Sequence, residues 1–70
     1  MMKGEQDLSI SLRAARVNAG LTQEKVANQL GKNVMTISNW ENGKTYPNSK
    51  DLQALSHLYG VDLYYLRLAD

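Results

Sequence analysis

No cysteine occurs in the 70 residues, so neither a disulfide nor a thiolate metal site holds the fold together. The same absence suits a reducing cytoplasm. A single histidine, His57, is too little for a zinc site. The longest apolar runs are only a few residues, which excludes a membrane-spanning helix. The first seven residues, Met1-Met2-Lys3-Gly4-Glu5-Gln6-Asp7, have no apolar core of the kind a signal peptide needs. Their polarity predicts a flexible tail over 1–7 and a single folded domain over 8–68. An excess of one charge is also missing: the net charge is +1, which by itself points to no partner.

What is present is enough for one small core. Hydrophobic residues make up 43% of the chain, and a chain this short buries only a modest share of its surface. Charge is unevenly spread. Between Arg13 and Lys50 lie six basic residues, Arg13, Arg16, Lys25, Lys32, Lys44 and Lys50, against Glu24 and Glu41, a net of +4. The other acids sit towards the two ends. Gathered on one face, such a stretch attracts a polyanion; scattered, it is only a solvated exterior.

Apolar spacing predicts helices and no strands. Leu8, Leu12, Ala15 and Ala19 repeat at three and four, one face of a first helix over 8–19, with Asp7 or Ser9 as its cap. Gly20 ends it. Thr22 caps a second helix with Val26, Ala27 and Leu30 inward, stopped by Gly31. Lys32 or Asn33 opens a third helix to about Asn42, with Gly43 as its stop. Pro47 places Lys44 to Asn48 in a loop. Asn48 or Ser49 caps a fourth helix carrying Leu52, Leu55, Leu58 and Tyr59, and Gly60 ends it. Asp62 caps a short fifth helix with Leu63, Tyr65, Leu66 and Leu68. Five short helices with tight glycine turns make an all-α domain. The second and third, joined by a turn at Gly31, match a helix-turn-helix unit.

The string Gly20-Leu21-Thr22-Gln23-Glu24-Lys25-Val26-Ala27, then Leu30-Gly31, then Ile37-Ser38-Asn39-Trp40-Glu41-Asn42-Gly43-Lys44, resembles the Cro/C1-type (XRE) helix-turn-helix family. Pro47, Leu52, Leu55, Leu58, Gly60-Val61 and Leu66 continue the match, and Arg16 falls at a family position before the first glycine. The resemblance runs from about Leu12 to Leu66. It implies a compact five-helix, lambda-repressor-like domain that docks its third helix in the major groove. The implied function is a sequence-specific transcriptional regulator, a repressor of prokaryotic or phage type. Double-stranded DNA is then the partner, with a homodimer on the DNA, no cofactor, and a cytoplasmic location on the nucleoid.

Helical geometry sorts the third helix into two faces. With Ile37 inward, at ~100° per residue, Trp40 and Glu41 share its side. Met35, Ser38, Asn39 and Asn42 fall opposite. A plain surface helix prefers Lys and Glu there; this face suits base edges instead. Asparagine pairs bidentately with adenine, and an apolar side chain meets a thymine methyl. Val34, at the helix tip, matches a family base-contacting position. The alternative is that Val34 and Met35 simply pack against the second helix. Base contacts are therefore expected from Val34, Met35, Ser38 and Asn39.

Phosphate contacts are expected from Gln23, which lies where the second helix presents free N–H groups and its positive dipole end. The resemblance adds Thr22, Asn33, Asn42, Lys44 and Thr45, with Lys44 as an ordinary solvated lysine the alternative. It also pairs Arg16 with Glu41 as a partly buried structural ion pair between helices one and three.

Catalytic motifs fail. Gly43-Lys44-Thr45 resembles the end of a phosphate-binding loop, but Ser38 stands where that motif needs its first glycine, and a helix precedes it. His57 with Asp51 or Asp62 suggests a triad only on paper, since a small helical domain offers no cleft. Placed among core leucines, His57 is expected to be structural. No enzyme is expected. A second class stays open: the same fold as an antitoxin or adaptor whose main partner is a protein, for which an exposed Leu63, Tyr64 and Leu68 cluster would speak.

Overall fold

The computed structural model describes residues 8–68. The tail expected over 1–7 lies outside them. The elements in chain order are β1 (Ile10–Ser11), α1 (Leu12–Asn18), α2 (Gln23–Leu30), α3 (Val34–Glu41), α4 (Ser49–Tyr59), a 3-10 turn (Leu63–Tyr65) and β2 (Leu66–Arg67).

Capping residues set the helix starts. Thr22 Oγ1 accepts the Lys25 N–H at 3.1 Å, Asn33 Oδ1 accepts that of Met35 at 2.8 Å, and Asn48 Oδ1 accepts that of Asp51 at 2.8 Å. Each satisfies a first-turn N–H that the helix itself leaves without a partner. The turn between α2 and α3 needs Gly31. Its φ of +66° is a left-handed conformation that a side chain disfavours. It lets the Lys32 N–H reach back to the Ala27 carbonyl at 2.8 Å, closing α2 and aiming the chain across it. Lys32 also pairs with Asp51 at 3.5 Å, joining this turn to α4.

One apolar cluster sits where the helices meet: Leu12, Ala15, Val26, Ala27, Ile37, Trp40, Leu55 and Tyr59. Leu21, Leu30, Leu52, Leu58, Val61 and Leu68 close around it. The most extensive pairing is α2 against α3, so the cluster fixes the angle at which α3 is presented. A fully buried side chain such as Ile37 contributes about 1.5–3 kcal/mol by leaving water. Among the described residues no helix is long and apolar enough to cross a membrane.

Two expectations are corrected. The first helix begins at Leu12 with Ser11 as its cap, its Oγ accepting the Ala14 N–H at 3.0 Å, not at Leu8 behind Asp7 or Ser9. The fifth helix is a single 3-10 turn, capped by Asp62 as expected, and the chain then leaves it as a strand. There are thus four α-helices among the described residues, not five. One cause explains both. β1 and β2 pair in parallel, Ile10 opposite Leu66 and Ser11 opposite Arg67, which holds both of these segments extended. Ile10 and Leu66 turn their side chains onto the core, while Leu8 is left 65% exposed. A further departure concerns His57, which is exposed and not set among the core leucines.

Candidate nucleic-acid interface

The two faces of α3 differ as its spacing predicts. Ile37 and Trp40 are buried. Met35 is 62% exposed, Val34 and Asn42 are exposed, and Ser38 and Asn39 are half-buried. Val34 and Met35 therefore do not disappear against α2. The outward face carries no charged side chain. Among the described residues the Asn39 side-chain amide has no hydrogen-bond partner in the chain. The Asn39 carbonyl, by contrast, accepts the Lys44 N–H at 2.9 Å and closes the end of α3.

Behind this face lies a charged knot built around Glu41. Its side chain is only 1% exposed. Arg16, on α1 and 13% exposed, donates through Nε to Oε2 at 2.6 Å and through Nη2 to Oε1 at 3.3 Å. Its Nη1 donates to the Leu21 carbonyl at 2.9 Å. Gln23 Nε2 donates to Glu41 Oε1 at 3.0 Å. The knot thus joins α1, the start of α2 and the end of α3. Burial by itself would raise the Glu41 carboxyl. The hydrogen bonds from Arg16 and Gln23 and the Arg16 charge outweigh it and hold Glu41 below the usual carboxylate range. The bond to Glu41 likewise raises Arg16. Burial first, then the Glu41 charge, pushes the nearby Tyr59 hydroxyl up to about 12.

The remaining candidates stand around the rim. Thr22 and Asn33 are exposed caps at the starts of α2 and α3. Lys44 and Thr45 are exposed just past α3. Gln23 is half-buried with one amide N–H committed to Glu41, which fixes its orientation and leaves its second N–H. Asn42 is also engaged: its Oδ1 accepts from Arg13 Nη2 at 2.8 Å, and its Nδ2 donates to Ser38 Oγ at 3.3 Å.

Arg13 is the residue that sequence reasoning passed over. It lies one turn before Arg16 on the same side of α1, and its Nε also reaches Glu41 Oε1 at 3.4 Å. That three-residue spacing was the available signal. The charge count changes as well. Arg16 is neutralised by Glu41 and Lys32 by Asp51, and Arg13 turns to Glu41 and Asn42, so the basic middle of the chain offers Lys25, Lys44 and Lys50 as its exposed outward cations.

A family model described as helix-turn-helix matches residues 12–66. Over 52 residues, 74% of this chain, the sequence is 40% identical to the HTH-type transcriptional activator BcrR of Enterococcus faecalis. The match covers 26% of that protein, so the chain spans about a quarter of its relative's length. No solved structure gives a significant match.

Proposed function

The chain belongs to the helix-turn-helix family of the Cro/C1 type, and from that premise we propose that it is the DNA-reading domain of a transcriptional regulator. It enters the major groove of double-stranded DNA with α3. Val34, Met35, Ser38 and Asn39 meet base edges. Thr22, Gln23, Asn33, Lys44 and Thr45 meet the phosphates on either side, and Arg16 with Glu41 holds the frame.

The observation that carries this reading is the outward face of α3. It is exposed at Val34 and Met35, half-buried at Ser38 and Asn39, uncharged, and among the described residues includes an amide without an internal partner on a helix whose other side is fixed by core and ion pair. A free asparagine amide complements the donor–acceptor edge of adenine, and Met35 suits a thymine methyl. The exposed cations around it supply the attraction to phosphate that is independent of sequence. The protein acts in the cytoplasm, on the nucleoid, and as a repressor, by occupying its site.

A homodimer on two-fold sites about one helical turn apart completes the proposal. Leu8, Leu63, Tyr64 and Tyr65 are exposed near the paired strands β1 and β2, Tyr64 at 86%, and offer apolar surface for pairing. The same surface favours the second reading, an antitoxin or adaptor that binds a protein. Leu68 contributes less than its sequence position suggests, because it packs on the core. Titration of the protein against a randomised duplex at several salt concentrations tests the choice. A steep fall of affinity with salt is expected for DNA binding; a flat response leaves the protein-binding reading. A reporter driven from a promoter that carries the selected site decides between repression and activation.

A further inference from the structure

We propose that Arg13 is a positioning residue for base reading: through Asn42 it biases Ser38 to act as a hydrogen-bond donor towards the DNA. The inference rests on the DNA-reading function above. It starts from a directional chain of three groups. Arg13 Nη2 donates to Asn42 Oδ1 at 2.8 Å, and Asn42 Nδ2 donates to Ser38 Oγ at 3.3 Å.

A guanidinium can only donate, so the Asn42 atom facing it must be the carbonyl oxygen. That choice turns the Asn42 amide nitrogen, itself only a donor, towards Ser38. The Ser38 oxygen is then an acceptor on its inner side, and its hydrogen is left for another group. Among the described residues Ser38 Oγ donates to no acceptor in the chain, including the carbonyl one turn back that serine often takes in a helix. Ser38 stands beside Asn39, half-buried, at the edge of the face proposed to meet the bases.

A serine hydroxyl ordinarily rotates to donate or accept as its partner requires, and so reads little. Here the bond from Asn42 occupies one of the two acceptor positions of the oxygen before DNA arrives and biases the hydroxyl towards donation. A hydroxyl biased this way donates to guanine O6 or N7, adenine N7 or thymine O4. Cytosine offers only its N4 amino group in the major groove, a second donor. Cytosine is therefore the base disfavoured opposite Ser38, since it meets only the one acceptor position left on the oxygen. Docking displaces water from this exposed chain of bonds and strengthens it when it is needed. Arg13 itself is anchored on its other side by Glu41 at 3.4 Å, so it is aimed at α3 and not at the groove.

The test is enrichment from a randomised duplex pool by wild type, Arg13→Met, Asn42→Ala and the double variant. Methionine keeps the aliphatic stem and removes the donors. Salt titrations of each protein on its selected site, and thermal melts, run alongside. Wild type is expected to select against cytosine at one position of each half-site. Arg13→Met should raise the cytosine fraction there about fivefold, the worth of one ordinary hydrogen bond. Asn42→Ala should do the same, and the double variant no more than either alone. Asn42→Ala carries the test by itself if Arg13→Met does not melt cooperatively. Cytosine still excluded in both variants overturns the proposal. So does a fall of the salt slope by about one in Arg13→Met with preference intact, which makes Arg13 a phosphate contact. Should wild type select no sequence at all, the DNA-reading function fails and takes this inference with it; selection by wild type with unchanged variants fails the inference alone.

Discussion

The two faces of α3 are built from the same eight residues and have opposite states of completion. On the inner face Ile37 and Trp40 are buried, and Glu41 accepts hydrogen bonds from Arg13, Arg16 and Gln23. On the outer face Met35 lies open and the Asn39 amide has no partner in the chain. A buried carboxylate without donors would destabilise the fold, so the inner face had to be satisfied within the chain. A half-buried amide at the surface carries far less of that penalty, because water reaches it until a better partner arrives. The difference teaches where to separate stability from recognition: substitutions inside should move the melting temperature, and substitutions outside should move base preference.

The largest expected effect breaks the inner face. Glu41→Ala strands Arg16 at 13% exposure and should cost about 3 kcal/mol in urea unfolding. An unchanged midpoint would mean that the knot is ornamental. The same group sets a pH signature. Its folded-state carboxyl is held below the usual range, so its stabilisation is fully present above the unfolded-state value and fades as pH falls through the depressed one. Glu41→Gln should flatten that part of the acid limb of a stability–pH curve.

Next in size is the outer face. Asn39→Ala should leave stability within about 0.5 kcal/mol and cost about 1–3 kcal/mol on the selected site. Gly31→Ala, between the faces, meets no atom but must hold φ +66°, and should cost about 1 kcal/mol in the melt. Lys44→Ala, at the rim, is the mildest. Binding to all sequences should weaken alike, with the salt slope reduced by about one.

Much of this was legible in the chain. Thr22, Asn33 and Asn48 cap helices as their chemistry suggests, and Gly31 and Gly60 take the left-handed turns that end α2 and α4. The sidedness of α3 follows from placing Ile37 inward. The chain ends were misread because two periods compete there. Leu8, Leu12 and Ala15 fit a helix, yet Leu8-Ser9-Ile10-Ser11-Leu12 also alternates polar and apolar, the period of a strand. Leu66-Arg67-Leu68 alternates in the same way. Each segment is too short to declare itself, and only the pairing between residues 56 apart decides, as with Ile10 and Leu66. Arg13 was missed for a related reason. Its partners Glu41 and Asn42 lie 28 and 29 residues away, and its three-residue spacing from Arg16 marks a shared side of α1 without naming them. The burial pattern of α3 was readable because it is local, and the Arg16–Glu41 pair because Arg16 falls at a family position; the reach of Arg13 from α1 was not.

The central claim is that the outer face of α3 reads bases while the inner face only holds it in place. Its most direct test is the ratio of affinities for the selected duplex and for random duplex, measured for Asn39→Ala beside wild type across a salt series. The account predicts a ratio lowered by about tenfold or more with the random-duplex affinity and its salt slope unchanged. A ratio equal to that of wild type would contradict it and move the reading surface away from this face of α3.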